Sequence, residues 1–224
     1  QRPVTESQMN PRPSNTFSLI VVLAIITALG PMAMQIILPV LPVMQVAFDV
    51  PAATVQYALS LALFTIAFST LIYGPASDRY GRRPVLVVGL VIFVLGSGIA
   101  AVAPSIEIVI LGRIIQAVGG AAGMVLSRAI IRDLFDRDTA ARLMAYMITA
   151  LVVAPMISPL IGGLLNDAFD WRAIFIFAGV LGALVLILAL PKVPETLEKG
   201  SEIQSFRGML GGFAVLLRVP RFLG

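Results

Sequence analysis

Apolar residues in this chain fall in long runs, and the polar positions between them are few and clustered. Crossing a bilayer as a helix takes about 20 predominantly apolar residues. Six runs are that long: roughly Phe17 to Leu41, Thr54 to Tyr73, Pro84 to Ala103, Ile106 to Ile131, Ala140 to Leu165 and Trp171 to Leu190. Hydrocarbon offers no water to the backbone, so closed helices are the simplest way to satisfy it, and the absence of short alternating segments argues against a barrel. The pattern therefore predicts an all-α membrane protein of six transmembrane helices spanning residues 16–191. A polar tail, residues 1–15 with three prolines, precedes it and is expected to be disordered. The first run is too long for a signal-peptide core, so it is expected to be retained.

Charge adds direction. Of the 16 Lys and Arg residues, 14 lie in the tail, in the connection at Gly74, in the segment Arg128 to Arg142, or after Leu190; the exceptions are Arg113 and Arg172. The other connections, around Asp49, Glu107 and Asp167 to Asp170, are short and mostly acidic. Basic residues stay in the cytoplasm, which places the amino terminus and the end of the sixth span there. Two sets of three spans then run in opposite senses, the arrangement of inverted repeats. Beyond Pro191 the chain turns polar, and Phe206, Leu210, Phe213 and Leu217 then recur at helical spacing beside Arg207, Arg218 and Arg221. Residues 192–224 are accordingly read as a cytoplasmic linker carrying an amphipathic helix on an anionic leaflet.

Composition removes several function classes. A mean hydropathy of +0.97 with 12% charged residues fits a polytopic membrane protein. There is no cysteine and no histidine, so thiolate sites, metal-dependent hydrolysis and histidine catalysis are not expected. No nucleophile and base pair is visible, which argues against an enzyme. The basic residues are dispersed between apolar spans, so the high pI is not a nucleic-acid footprint.

Three constellations carry candidate chemistry. The stretch GPASDRYGRRPVL, Gly74 to Leu86, holds Asp78, Arg79, Tyr80, Arg82 and Arg83 and is read as a polar hinge loop between two spans. Gly74 and Gly81 permit tight turning and close approach, Pro84 suits a first helical turn, and Asp78 can accept from helix N–H groups. A basic loop that only sets orientation is the plainer account. The fourth span contains Arg113, which costs at least about 2.5–3.5 kcal/mol on insertion scales and so should face a cavity or a partner, unless it snorkels to the nearer surface. Gln116, three residues on, shares its face. In the fifth span Ala154, Ser158 and Gly162, and likewise Pro155, Pro159 and Gly163, lie four apart, giving small-residue stripes for close packing and prolines that bend the helix.

These motifs resemble those of the major facilitator superfamily. The Gly74 stretch is similar to its G-x-x-x-D-R-x-G-R-R loop between second and third helices; Arg113 to Ala122 resembles R-x-x-Q-G-x-G-x-A, with Ala117 for a Gly; Pro155 to Gly163 resembles the antiporter sequence G-P-x-x-G-G, with Ser158 for its first Gly. With RAIIRDLF from Arg128 and VPETL from Val193, the chain resembles the bicyclomycin and chloramphenicol resistance branch of drug:proton antiporters. That resemblance implies the N-terminal six-helix half of a transporter in a bacterial inner membrane, partnered by a second half, exporting small amphipathic molecules by alternating access. No cofactor is implied; a proton gradient supplies the energy. Gln35, Tyr57, Arg113 and Gln116 would line the cavity, and the Asp78 loop would gate the cytoplasmic side. One departure matters: Gln35 stands where the branch commonly has Asp, and no Asp or Glu lies deep in any span. Two rival readings therefore stay open, an uncoupled facilitator or organic-anion transporter with Arg113 as counter-ion, and a non-transporting membrane receptor or assembly partner.

Overall fold

The structure is a computed structural model and describes residues 16–197. The readings placed on the tail and on the amphipathic helix of the linker lie outside the described residues, which include only 192–197 of the linker. Seven α-helices make six crossings: α1 (Thr16–Ile36) with α2 (Leu41–Phe48), then α3 (Ala52–Tyr80), α4 (Arg82–Ala101), α5 (Ile106–Leu134), α6 (Arg137–Ala168) and α7 (Ala173–Lys192). The first crossing runs on to Phe48, past the Leu41 boundary drawn from hydropathy. A 3₁₀ turn at Leu38–Val40 interrupts it, because Pro39 and Pro42 lack the N–H groups that an unbroken helix needs. Each group of three crossings is odd in number, so the second group starts from the opposite face to the first.

The largest correction concerns the polar stretch at Gly74. It is not a loop. Helix α3 continues through it to Tyr80, α4 begins at Arg82, and Gly81 alone joins them, at φ +99°. Hydropathy falls across Ser77 to Tyr80, but the helical backbone bonds do not, so polarity marks where the helix leaves the hydrocarbon and not where it ends. Gly74, expected to turn the chain, sits within α3 with open space where a Cβ would be.

Lipid is as apolar as leucine, so burying apolar side chains between spans drives little association, and close van der Waals approach matters more. Helices α4 and α5 pack along their lengths, and α5 is also flanked by α1 and α3. Gly96 lies so close to α5 that a Cβ there would collide with the Gln116 backbone nitrogen. One apolar cluster, including Leu23, Phe93 and Leu126, fills the basic half of the bundle. A second, around Ile37, Val109 and Phe175, fills the acidic half, where Trp171 meets Phe48 and Phe175 edge to face at 5.2 and 6.2 Å. Burial is uneven: the apolar windows of the first crossing and of α5 are 61% and 56% buried, those of α3 and α6 only 22% and 11%. The outer faces of α3 and α6 are thus left for something beyond this unit.

Candidate functional site

Arg113 is the largest fully buried side chain in the structure, at 2% exposure, which disposes of snorkelling. Its position on the third turn of α5 aims it between α1 and α4. One terminal nitrogen, Nη1, donates to the Ala33 carbonyl at 2.9 Å and to Oε1 of Gln116; Nη2 reaches the Met34 sulfur at 3.1 Å. The i,i+3 spacing brings Arg113 and Gln116 together as the sequence suggested. Gln116 in turn donates from Nε2 to the Ser97 hydroxyl at 2.7 Å, and Ser97 donates to the Phe93 carbonyl at 2.8 Å. The result is a closed polar chain crossing from α1 through α5 to α4, in which every acceptor is neutral. Guanidinium has five N–H donors. Its Nε–H is buried and has no partner, and sulfur is a weak acceptor, so the charge is solvated only in part.

The other two cavity candidates are not joined to this chain. Gln35 is half-buried near the end of α1 and its side chain forms no hydrogen bond among the described residues. Tyr57 is 54% exposed on the first turns of α3. Sequence reasoning missed Ser97 and Met34. Ser97 was detectable as a lone hydroxyl between Gly96 and Gly98 of an apolar span, but its partner on another helix was not.

At the basic end a second arginine is held very differently. Arg82 pairs with Asp78 one turn back on α3, donates from Nε to Asp133 of α5 at 3.1 Å, and reaches the Ser77 hydroxyl. The expectation that Asp78 receives helix N–H groups is not met. That role falls to Glu195, just beyond α7, whose two carboxylate oxygens accept from the Arg82 and Arg83 backbone N–H groups at 2.9 and 3.3 Å, the orphan donors at the start of α4. Glu195 also receives the Thr196 and Leu197 N–H groups, and Thr196 donates to Asp133 at 3.1 Å. Arg83 donates to the Leu190 carbonyl at 2.7 Å, near the end of α7, while Arg79 lies over the Tyr80 ring in the open. Gly81 is required by its positive φ, and a Cβ there would in addition displace the Glu195 carboxylate, 2.5 Å away. This network ties α3, α4, α5 and the end of α7 together.

The α6 motif divides between two faces. Ser158 and Gly162 are buried, and a Cβ on Gly162 would meet the Ile36 carbonyl and Pro39, so this stripe is the seam between α6 and the broken end of α1. Ser158 donates back to the Ala154 carbonyl. Pro155 and Pro159 are half-buried, and α6 runs unbroken through both; Gly163 faces open space.

Comparisons with known proteins agree with this architecture. The chain is 36% identical over 179 residues to multidrug resistance protein D of Escherichia coli (strain K12), covering 80% of this chain and 45% of that protein. It is 32% identical over 189 residues to a bicyclomycin resistance protein homolog of Haemophilus influenzae, covering 84% and 48%. Among solved structures a D-xylose-proton symporter superposes with a TM-score of 0.72 at 19% identity, over 91% of this chain and 52% of that one, a likeness of fold. The chain spans about half the length of the curated relatives it matches. Its six apolar crossings make it a multi-pass membrane protein, and with the sequence profile of the Major Facilitator Superfamily matching residues 23–223, the chain belongs to that family.

Proposed function

We propose that this chain is the N-terminal half of a secondary transporter that exports small amphipathic organic molecules by alternating access, in exchange for protons. The observation that carries the reading is the Arg113 chain: a buried cation with neutral partners and a free Nε–H, in a family whose relatives at this level of identity are named for multidrug and bicyclomycin resistance. A buried charge without an anion is costly. It persists where function requires it, and the anion comes from a carboxylate of the second half or from the cargo. The half-exposed faces of α3 and α6 supply the surface for that second half. Charge bias supports a cytoplasmic amino terminus, with the Arg82 network facing the cytoplasm of a bacterial inner membrane.

A specific observation favours a second reading. Among the described residues no carboxylate reaches Arg113, and Gln35 cannot titrate, which suits a facilitator that takes anionic cargo directly on the guanidinium. Transport by the complete protein in proteoliposomes, with and without an imposed pH gradient, separates the two. Export of neutral or cationic compounds that collapses with the gradient supports antiport; gradient-independent movement of an anion sinks it.

A further inference from the structure

Of the segment RAIIRDLF only Asp133 enters a network described above; its two arginines, and Arg137 after them, take part in neither. Arg128 and Arg132 lie one turn apart on α5, the chain turns at Phe135 and Asp136, and Arg137 opens α6. All three arginines are exposed, and none forms an ion pair among the described residues, where the pairs are those of Arg82 and Arg172. Of the nearby acids Asp133 holds Arg82, Asp136 accepts the Thr139 N–H at 3.0 Å, and Asp138 pairs with no arginine among the described residues. At this corner is a cavity of about 390 Å³ lined by Arg132, Phe135, Arg137, Ala140, Ala141 and Met144. Its walls carry two cations, no anion, and otherwise apolar surface.

Depth gives the cavity its meaning. From Arg137 to Met144 is about 10 Å of helix at 1.5 Å per residue. The pocket therefore begins at the charged rim of the bundle and ends in the apolar zone, where α6 exposes Tyr146 and Ile148 to the surroundings. A soluble anion needs only the rim. A molecule with a phosphodiester at one end and methylenes at the other uses the whole length, and basic pockets between spans are a recognised way to hold such headgroups. We propose that the pocket at the α5–α6 corner seats an anionic phospholipid, with the Arg132 and Arg137 guanidinium groups holding its phosphodiester and with Phe135 and Met144 flanking the glycerol and first methylenes. The assignment is independent of what the protein transports.

The full chain, stripped of lipid in a neutral detergent, is titrated with short-chain phosphatidylglycerol and, in parallel, with phosphatidylcholine, and bound lipid is counted by native mass spectrometry. Phosphatidylglycerol is expected to bind more tightly, Arg132→Gln and Arg137→Gln each to weaken it about fivefold, and Arg142→Gln, outside the pocket, to leave it within about twofold. Equal binding of the two lipids overturns the proposal. Equal loss from Arg142→Gln replaces the pocket with a diffuse basic surface and overturns it too. Displacement of the lipid by glycerol 3-phosphate at equal concentration makes this a soluble-anion site and overturns the lipid assignment. Should the Gln variants not fold, Arg132→Lys and Arg137→Lys keep the charge and lose the planar fork; unchanged phosphatidylglycerol binding then refutes the clamp.

Discussion

Two arginines, Arg113 and Arg82, organise two ends of the same bundle, and they are solvated in opposite ways. Arg82 has two carboxylates and a hydroxyl at the basic end of the bundle; Arg113 has a carbonyl, an amide and a thioether, all in the apolar interior. An ion pair at an aqueous edge is self-sufficient, and its work is mechanical, joining α3, α4 and α5. A lone cation among neutral acceptors lacks a counter-charge, and under the proposed function something that arrives supplies it. On that proposal the same residue type is a fastener in one place and a receptor in the other.

The comparison breaks first at Arg113. In the complete transporter Arg113→Leu should abolish substrate binding, and Arg113→Lys should weaken it about tenfold or more, since charge-assisted hydrogen bonds are worth about 1.5–3 kcal/mol and Lys cannot keep the fork. Isothermal or fluorescence titration of substrate checks this; near-normal affinity in Arg113→Leu would make the residue structural after all. At the other arginine, Arg82→Ala should cost about 2 kcal/mol of thermal stability through the two carboxylates it leaves unpaired, with substrate affinity retained. Asp78→Asn is expected to disturb stability less, because Asp78 is 58% exposed, while transport still falls sharply at normal expression. If Arg82→Ala lost affinity and kept stability, fastener and receptor would have been assigned the wrong way round.

Smaller effects sharpen the contrast. Gly81→Ala should cost about 1–3 kcal/mol, from a positive φ and from collision with Glu195, and the loss should be absent when Glu195→Ala is already present only in its steric part. Ser97→Ala removes the bond accepted from Gln116 and the one donated to the Phe93 carbonyl, each worth about 0.6 kcal/mol in stability, yet it frees the Gln116 amide to rotate and should lower substrate affinity by more than their sum. A cap outside both networks provides the control. The Thr139 backbone N–H holds the Asp136 carboxyl below its ordinary range, so its contribution is present at neutral pH and is lost as pH falls through the lowered value. Asp136→Asn should flatten that acid limb of stability and leave transport unchanged at neutral pH.

Much of this was legible in the chain. Six crossings followed from hydropathy, and the Arg113–Gln116 contact from a three-residue spacing, because both depend on neighbours along one helix. What escaped depends on register between helices. The Gln116–Ser97 bond exists because Gly96 lets α4 and α5 touch backbone to backbone, and no one-dimensional pattern carries that distance. Glu195 caps a helix that begins 113 residues earlier, a separation over which only the folded bundle brings the ends together. The thirteen residues from Gly74 misled for a different reason: hydropathy reports which residues meet water, whereas helix continuation depends on backbone bonding, and the two part company at the membrane surface.

The one-residue joint at Gly81 also constrains how the two helices can move. A connection of ordinary length would let neighbouring spans shift independently. Here the last turn of α3 and the first of α4 share a single residue, and Glu195 clips the start of α4, so a tilt or rotation of one helix is carried into the other.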